Sequence, residues 1–258
     1  AGSKNVVVGR HAGRNLYSGS ECTLIGYGAG YYVTGSYNTF VGSNAGKGGT
    51  TSAPYSSGKF NVAVGDHAMT SMTSAVSNVA VGEAALKDIT SGYSNTAVGL
   101  SAGENLTTSG YNTLVGRDAG LTLTDTAGVV LIGYGAGSAI NSTGANGTVA
   151  VGQSALAALT SGAGNLAIGY HAMRVHTTGA SNIAIGYGAM DDTDAGSTSL
   201  GSAGNIFIGR DAGGGTWADV ASNHNVAIGT YAMDAALNGA LYNTAMGYLA
   251  LGALTEGD

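Results

Sequence analysis

The chain has 258 residues, of which 46 are glycine and 9% are charged, and its formal net charge at pH 7 is −6. This acidic balance excludes non-specific nucleic-acid binding, because no basic patch exists to neutralise phosphates. A hydrophobic content of 44% argues against disorder, and no apolar run approaches the ~18 residues needed to span a bilayer.

A glycine recurs along the whole chain at a nearly constant interval. Seven of the thirteen intervals are 17 residues, and the others range from 16 to 23. A period of this length predicts a solenoid, in which each repeat forms one coil and stacks on its neighbours. These glycines define position 0 of coils 1 to 14: Gly9, Gly26, Gly42, Gly65, Gly82, Gly99, Gly116, Gly133, Gly152, Gly169, Gly186, Gly209, Gly229 and Gly247.

Other positions of the repeat are also regular. Val or Ile stands at position −1 in thirteen coils, Ala at +3 in all fourteen, and Asn at −4 in eleven. The β-branched residues before the glycine predict one short strand in each coil. After the glycine, the apolar spacing of Ala84–Ile89 is typical of a helical turn, whereas Gly120–Thr124 favours extended backbone. We therefore expect short helical turns in some coils only.

These patterns together predict an all-β fold, a β-solenoid of the parallel β-roll or β-helix type with about fourteen coils of 17 residues. Residues 1–258 are expected to form a single repeat domain. The longer intervals predict extended loops at 47–58, 191–204 and 214–222. Loops of this kind often carry the contacts of a solenoid, while the coils supply rigidity.

Two positions of the repeat vary in size in opposite directions. A large residue at −2 accompanies Gly at +4, and Ala at −2 accompanies Met or Leu at +4, in thirteen of fourteen coils. Ala97 with Gly103 is the exception. Because close-packed interiors tolerate volume-conserving exchange, we expect positions −2 and +4 to share one slot in the core. Position −2 then faces inward together with the Asn at −4, whose side chains can hydrogen-bond from coil to coil.

Positions −1 and −3 must then face outward, although both are rich in Val and Ile. Stacked coils about 4.8 Å apart would present them as an apolar stripe roughly 65 Å long. Monomers seldom expose such a patch, so we expect cyclic self-association, with a parallel homotrimer as the predicted state. The alternative is that the return segment of the same chain covers this face.

One ring and several acids form the candidate ligand site. Trp217, the only tryptophan, and Asp219 lie in one long loop, and Asp191, Asp192 and Asp194 lie in the loop one coil earlier. An aromatic ring beside carboxylates suits a sugar, through stacking and hydroxyl hydrogen bonds. The alternative is that Trp217 folds back over the subunit seam and the acids are only solvated.

The histidines give no metal site. His11, His67 and His171 all stand at position +2, but they lie three and six coils apart and cannot share an ion within one chain. Cys22 is the only cysteine and can form no internal disulfide. We expect no catalytic residues, no metal and no cofactor.

The repeat units resemble a known family pattern. Asn-Thr-Ala-Val-Gly at Asn95–Gly99 and Asn-Ile-Ala-Ile-Gly at Asn182–Gly186, with Ala three residues later, resemble phage tail-fibre repeats of the kind that precede endosialidase-type chaperone domains. The units are also similar to the head repeats of trimeric autotransporter adhesins, which are shorter than seventeen residues. The resemblance implies a parallel homotrimer that carries receptor binding. The 258 residues contain no chaperone domain and start at Ala1, so we expect them to be a processed or excised part of a longer protein.

The expected function is therefore structural and adhesive rather than enzymatic. We expect a fibre or spike component in a virion, most simply of a phage tail, with a cell-surface glycan or protein as receptor and other virion proteins as partners. The head of a bacterial surface adhesin is the alternative. A polysaccharide-degrading tailspike would need paired carboxylates in a cleft, and an ice-binding solenoid would need a regular Thr array, which position −3 lacks.

Overall fold

The computed structural model describes residues 2–49, 55–193, 201–217 and 220–256. The chain divides into two compact units, Ala1–Gly128 and Val129–Asp258, and each unit is a solenoid with one short strand in every coil. The strands of the first unit are β1 Val6–Val8, β2 Thr23–Ile25, β3 Thr39–Val41, β4 Val62–Val64, β5 Val79–Val81, β6 Thr96–Val98 and β7 Thr113–Val115. Those of the second are β8 Val130–Ile132, β9 Val149–Val151, β10 Leu166–Ile168, β11 Ile183–Ile185, β12 Ile206–Ile208, β13 Val226–Ile228 and β14 Thr244–Met246.

Within each unit the strands pair in parallel, and every residue faces the residue at the same repeat position of the next coil. Ala80 in β5, for example, pairs with Ala97 in β6. The register survives the longest intervals, since Phe40 in β3 still pairs with Ala63 in β4. Insertions therefore leave the strand unaffected and enter the return segment. The predicted all-β solenoid with coils of about 17 residues is confirmed.

Position 0 must be glycine for two physical reasons. Its φ lies between +121° and +141° in all fourteen coils, a region that residues with a Cβ rarely adopt. The stacked backbones also approach closely at this point, because a Cβ on Gly82 would lie 2.4 Å from the carbonyl oxygen of Gly99. The glycine ends the strand and turns the chain into the return segment.

The expected helical turns after the glycine are wrong. Positions +2 and +4 have φ between +47° and +64° in all fourteen coils, so left-handed residues alternate along this segment. Ala84 and Leu86 both have this conformation, which interrupts any helix over Ala84–Ile89. The one helix among the described residues is the three-residue 3-10 turn Thr143–Ala145. None of the described helices is long and apolar enough to span a bilayer.

The interior confirms that positions −2 and +4 share a slot. A Cβ on Gly46 at +4 would lie 2.4 Å from Cδ2 of Phe40 at −2 of the same coil. A Cβ on Gly137 would lie 2.8 Å from Cδ2 of Leu131. Where −2 is alanine, the long residue at +4 fills the space instead, and Met69 is fully buried.

The exceptional coil 6, with Ala97 and Gly103, is filled by its neighbours. A Cβ on Gly103 would lie 2.5 Å from Cδ1 of Leu114, which belongs to the next coil, and 3.0 Å from Cδ2 of Leu86, which belongs to the preceding one. Two small residues in one coil are therefore compensated by large residues above and below it. The compensation between large and small core residues therefore acts between neighbouring coils as well as within one coil.

The inward asparagines form a ladder of hydrogen bonds, as expected. Asn78 donates both its backbone N–H and its Nδ2–H to Oδ1 of Asn61, at 3.1 Å each, and its Nδ2 also donates to the carbonyl of Gly92 at 2.8 Å. This pattern satisfies amides that are removed from water, which would otherwise cost about 1–3 kcal/mol each. The ladder residues are Asn38, Asn61, Asn78, Asn95 and Asn112 in the first unit, and Asn165, Asn182, Asn205, Asn225 and Asn243 in the second.

Candidate functional site

The outward strand face is the most regular surface feature of both units. In β2 to β13 the middle residue of each strand is buried, while the residues at −1 and −3 are exposed or half-buried. Val98 and Ile168, both at position −1, are each 38% exposed. The prediction of an outward row of Val and Ile is confirmed, and no return segment covers it among the residues that the structure describes.

The structure corrects the prediction for Trp217. Its ring is fully buried against Phe207, with ring centroids 5.7 Å apart, and its Nε1–H donates to the carbonyl of Gly213 at 3.0 Å. A ring in this position has no face free for a ligand. The glycine run before Trp217 has a packing role. Gly213 has no side chain, and Phe207 occupies the space that a Cβ there would fill.

The predicted acids take part in contacts between coils. Arg174 donates from Nε to Oδ1 of Asp191 at 2.9 Å, and this bond raises the pKa of the guanidinium. Asp192 accepts from Oγ1 of Thr216 at 2.6 Å. The other two predicted acids, Asp194 and Asp219, lie outside the described residues. Because Trp217 is buried, it gives Asp191 and Asp192 no exposed ring as a neighbour.

A polar surface groove of about 380 Å³ lies in the first unit. At its floor Lys87 donates to Glu104 of the next coil at 2.7 Å. This hydrogen bond lowers the pKa of Glu104 and raises the pKa of Lys87, so both groups stay charged at neutral pH. The pair ties two coils together. The residues that line the groove are His67, Glu83, Ala84, Lys87, Ser101 and Glu104.

The position +2 histidines lie apart, each in its own surroundings. Nδ1 of His67 lies 2.9 Å from a carboxylate oxygen of Asp66, while His171 stacks on Tyr170 with ring centroids 3.8 Å apart. His11 packs beside tyrosine rings. Within the described parts of the chain, no group of three or more His, Cys, Asp or Glu side chains is placed to hold a metal ion.

Two rows of exposed aromatic residues, one at position −5 and one at +1, lie outside the candidate ligand site predicted from the sequence. The first row is position −5, just before the buried Asn, where Tyr37, Phe60 and Tyr111 are 48%, 53% and 66% exposed. The second row is position +1, just after the glycine, where Tyr134 and Tyr187 are 51% and 54% exposed. These rows border the outward strand face on its two sides. Their aromatic content was visible in the repeat alignment, but its position beside the strand face was not.

Comparisons of the chain with models of protein families, with curated proteins and with solved structures found no match.

Proposed function

We propose that this chain is a rigid, self-associating structural segment of a surface fibre or spike, of the phage tail-fibre type, and that three parallel copies pack through their outward strand faces. The observation that carries the proposal is the uncovered row of apolar side chains at −1 and −3, which runs through each unit. Because the row continues from coil to coil, its partner must be as long as the unit itself.

The size of the exposed face supports self-association. Fourteen outward side chains in each seven-coil unit, with about a third or less of each side chain exposed, leave on the order of 500 Å² of largely apolar surface. The largest apolar patch of a typical monomer is about 300–600 Å², and a stable protein interface takes about 800 Å² from each partner. A second and third copy of the same solenoid would bury the whole row at once.

The interior supports a structural rather than a catalytic role. In-register strands repeat in every coil and the Asn ladder in most of them, so each unit is stiffened along its length by recurring contacts. A solenoid of this kind holds a receptor-binding surface at a fixed distance from its point of attachment. We propose a cell-surface glycan or protein as the receptor and a virion as the location; the head of a bacterial adhesin would use the same assembly.

The assembly is tested with the purified chain. Light scattering coupled to size-exclusion chromatography is expected to give three times 25.2 kDa. Val98→Asp places a charge on the outward face without touching the core, because the Val98 side chain is 38% exposed. This variant is expected to be monomeric with an unchanged β-type circular dichroism spectrum.

The matched control places the same charge elsewhere. Val220 is 56% exposed and lies on a return segment, away from the strand face. Val220→Asp is expected to remain a trimer. A wild-type chain that stays a monodisperse monomer at concentrations above about 100 μM would refute the proposed assembly, since interfaces of this size reach micromolar affinity or better.

A further inference from the structure

Position −5 holds exposed aromatic residues in a backbone conformation that disfavours them. Tyr37, Phe60 and Tyr111 have φ of +63°, +60° and +64°, yet 48–66% of each residue is exposed. All fourteen residues at −5 have φ between +52° and +72°, so this conformation belongs to the position and not to the ring. The feature that sets Tyr37, Phe60 and Tyr111 apart is that a large apolar ring stays exposed at this border.

The opposite border of the strand face varies in the complementary direction in most coils, although both positions are large in coils 1, 2, 7 and 14. In five consecutive coils of the second unit, position +1 is large and position −5 is small. In coils 3 and 4 of the first unit the sizes are reversed, with Tyr37 and Phe60 at −5 but Ser43 and Asp66 at +1. The pairs of the second unit, −5 before +1, are Gly128 and Tyr134, Gly147 and Gln153, Gly164 and Tyr170, Ser181 and Tyr187, and Gly204 and Arg210.

The two positions cannot compensate each other within one coil. They flank the strand at its two ends, six residues apart, which is roughly 15–20 Å of largely extended backbone. The space beside the small residues is also open, because a Cβ on Gly128, Gly147 or Gly164 would meet no atom within 4 Å. The surface of a single chain therefore contains a row of vacant sites on one border and a row of projecting side chains on the other.

Resting on the self-association proposed above, we infer that the −5 border of one copy packs against the +1 border of the next copy at the same coil. A rotation about an axis parallel to the stacking direction brings these two borders together and keeps equal coils at equal height. An antiparallel pair would instead set coils of different number side by side and lose the match. The small residues of coils 8 to 11 would then receive the large +1 residues of the neighbour. In coil 12 the ring of His224 already fills this space, since a Cβ on Gly204 would lie 2.6 Å from its Nδ1.

A sugar is a poorer occupant of these rows than a second copy. Tyr37 and Phe60 stack on each other with ring planes 7° apart and centroids 4.9 Å apart. Tyr170 and Tyr187 stack in the same way, 13° and 5.1 Å apart. Each ring in such a pair turns one face to its neighbour, so fewer faces are free for a sugar, which binds to free ring faces. Edges that project from a row fit into a complementary groove of protein.

The contact between the −5 border of one copy and the +1 border of the next is called the seam. The test exchanges the small and the large residue of this seam in coil 11, which are Ser181 at −5 and Tyr187 at +1. Ser181→Tyr places a ring where the neighbour's Tyr187 is expected, and Tyr187→Ser removes that ring, so the double variant reproduces the arrangement of coil 3. Ser181→Tyr is expected to raise the dissociation constant of the assembly at least about tenfold, and the double variant to return to within about threefold of wild type. Analytical ultracentrifugation over a dilution series measures these values.

The control keeps the substitution and its backbone strain but changes the coil. Ser77, at −5 of coil 5, has φ of +59°, the same value as Ser181. Tyr187→Ser is expected not to rescue Ser77→Tyr, because the two positions lie at different heights. If Tyr187→Ser rescues Ser77→Tyr as well as it rescues Ser181→Tyr, its effect does not depend on the coil, and the proposed seam is refuted.

The outcomes separate the two proposals. If the wild-type chain assembles but Ser181→Tyr and Tyr187→Ser affect the dissociation constant additively, the seam is refuted and the self-association stands. If the wild-type chain does not assemble, the proposed function fails first and the seam with it. Circular dichroism of the diluted monomers shows that each variant is folded, so a loss of assembly is not a loss of fold.

Discussion

The shared core slot predicts that a large cavity made at +4 can be refilled from −2 of the same coil. Met69 is fully buried, so Met69→Gly removes a whole core side chain, which costs about 2–5 kcal/mol. Its φ of +52° favours glycine and returns about 1 kcal/mol of this. The expected loss in the free energy of unfolding is therefore about 1–4 kcal/mol.

Adding Ala63→Leu to this variant is expected to restore most of the loss, because coil 2 already combines Leu24 with Gly30 in the same two positions. Ala63→Leu alone must overpack the slot that Met69 fills, at a cost of about 1–3 kcal/mol. Independent effects would add to about 2–7 kcal/mol, whereas a refilled slot should leave the double variant within about 1 kcal/mol of wild type.

Urea denaturation followed by circular dichroism measures the four proteins, and equal slopes are required before midpoints are compared. Met69→Gly with Ala150→Leu is the matched control, since Ala150 stands at the same position of coil 9, where the buried Leu156 fills the slot as Met69 does in coil 4. That pair is expected to be additive. If Met69→Gly with Ala63→Leu is also additive, the two side chains do not share a slot and the inward assignment of position −2 is refuted.

Two further predictions concern contacts between coils. Asn78→Ala removes a donor to Asn61 and an acceptor from Asn95. It should lower the free energy of unfolding by about 2–4 kcal/mol at a pH where all carboxylates are charged. A loss below about 0.5 kcal/mol would show that water replaces the ladder. The hydrogen bond from Lys87 lowers the pKa of Glu104, so this contribution is present above the carboxylate's unfolded pKa and is lost as the pH falls through its folded value. Lys87 and Glu104 are partly solvated, so Glu104→Gln should lower the free energy of unfolding by only about 0–1 kcal/mol at pH 7 and should not change it near pH 3. Thermal unfolding at the two pH values measures this difference. An equal loss at pH 7 and pH 3 would contradict a stabilising ion pair.

The fold was predictable from the sequence because the repeat makes core positions visible without other sequences. Val or Ile at −1, Ala at +3 and the exchange between −2 and +4 each recur often enough to assign a face. The exception at Ala97 and Gly103 was not predictable, because Leu86 and Leu114 fill that slot from neighbouring coils. A rule derived within one coil cannot detect compensation along the stack.

The backbone after the glycine was not predictable from apolar spacing. Core residues at +3, +4 and +7 have the spacing of a helix, but alternating left-handed residues give the same inward positions. Trp217 was misjudged for a related reason, since Gly213 next to it reads as flexible loop in sequence and serves in the structure as space for Phe207. Both errors come from assigning conformation to local composition where tertiary packing decides it.

The in-register stacking also determines how fast such a chain can fold. Most parallel sheets require contacts between distant parts of a chain and therefore form slowly. Here the bond from Asn78 to Asn61 joins residues only 17 apart in a chain of 258. The sheet therefore forms without the long loop closures that slow most parallel sheets. Because each coil needs only its predecessor as a template, the sheet can grow one coil at a time while the chain is being synthesised.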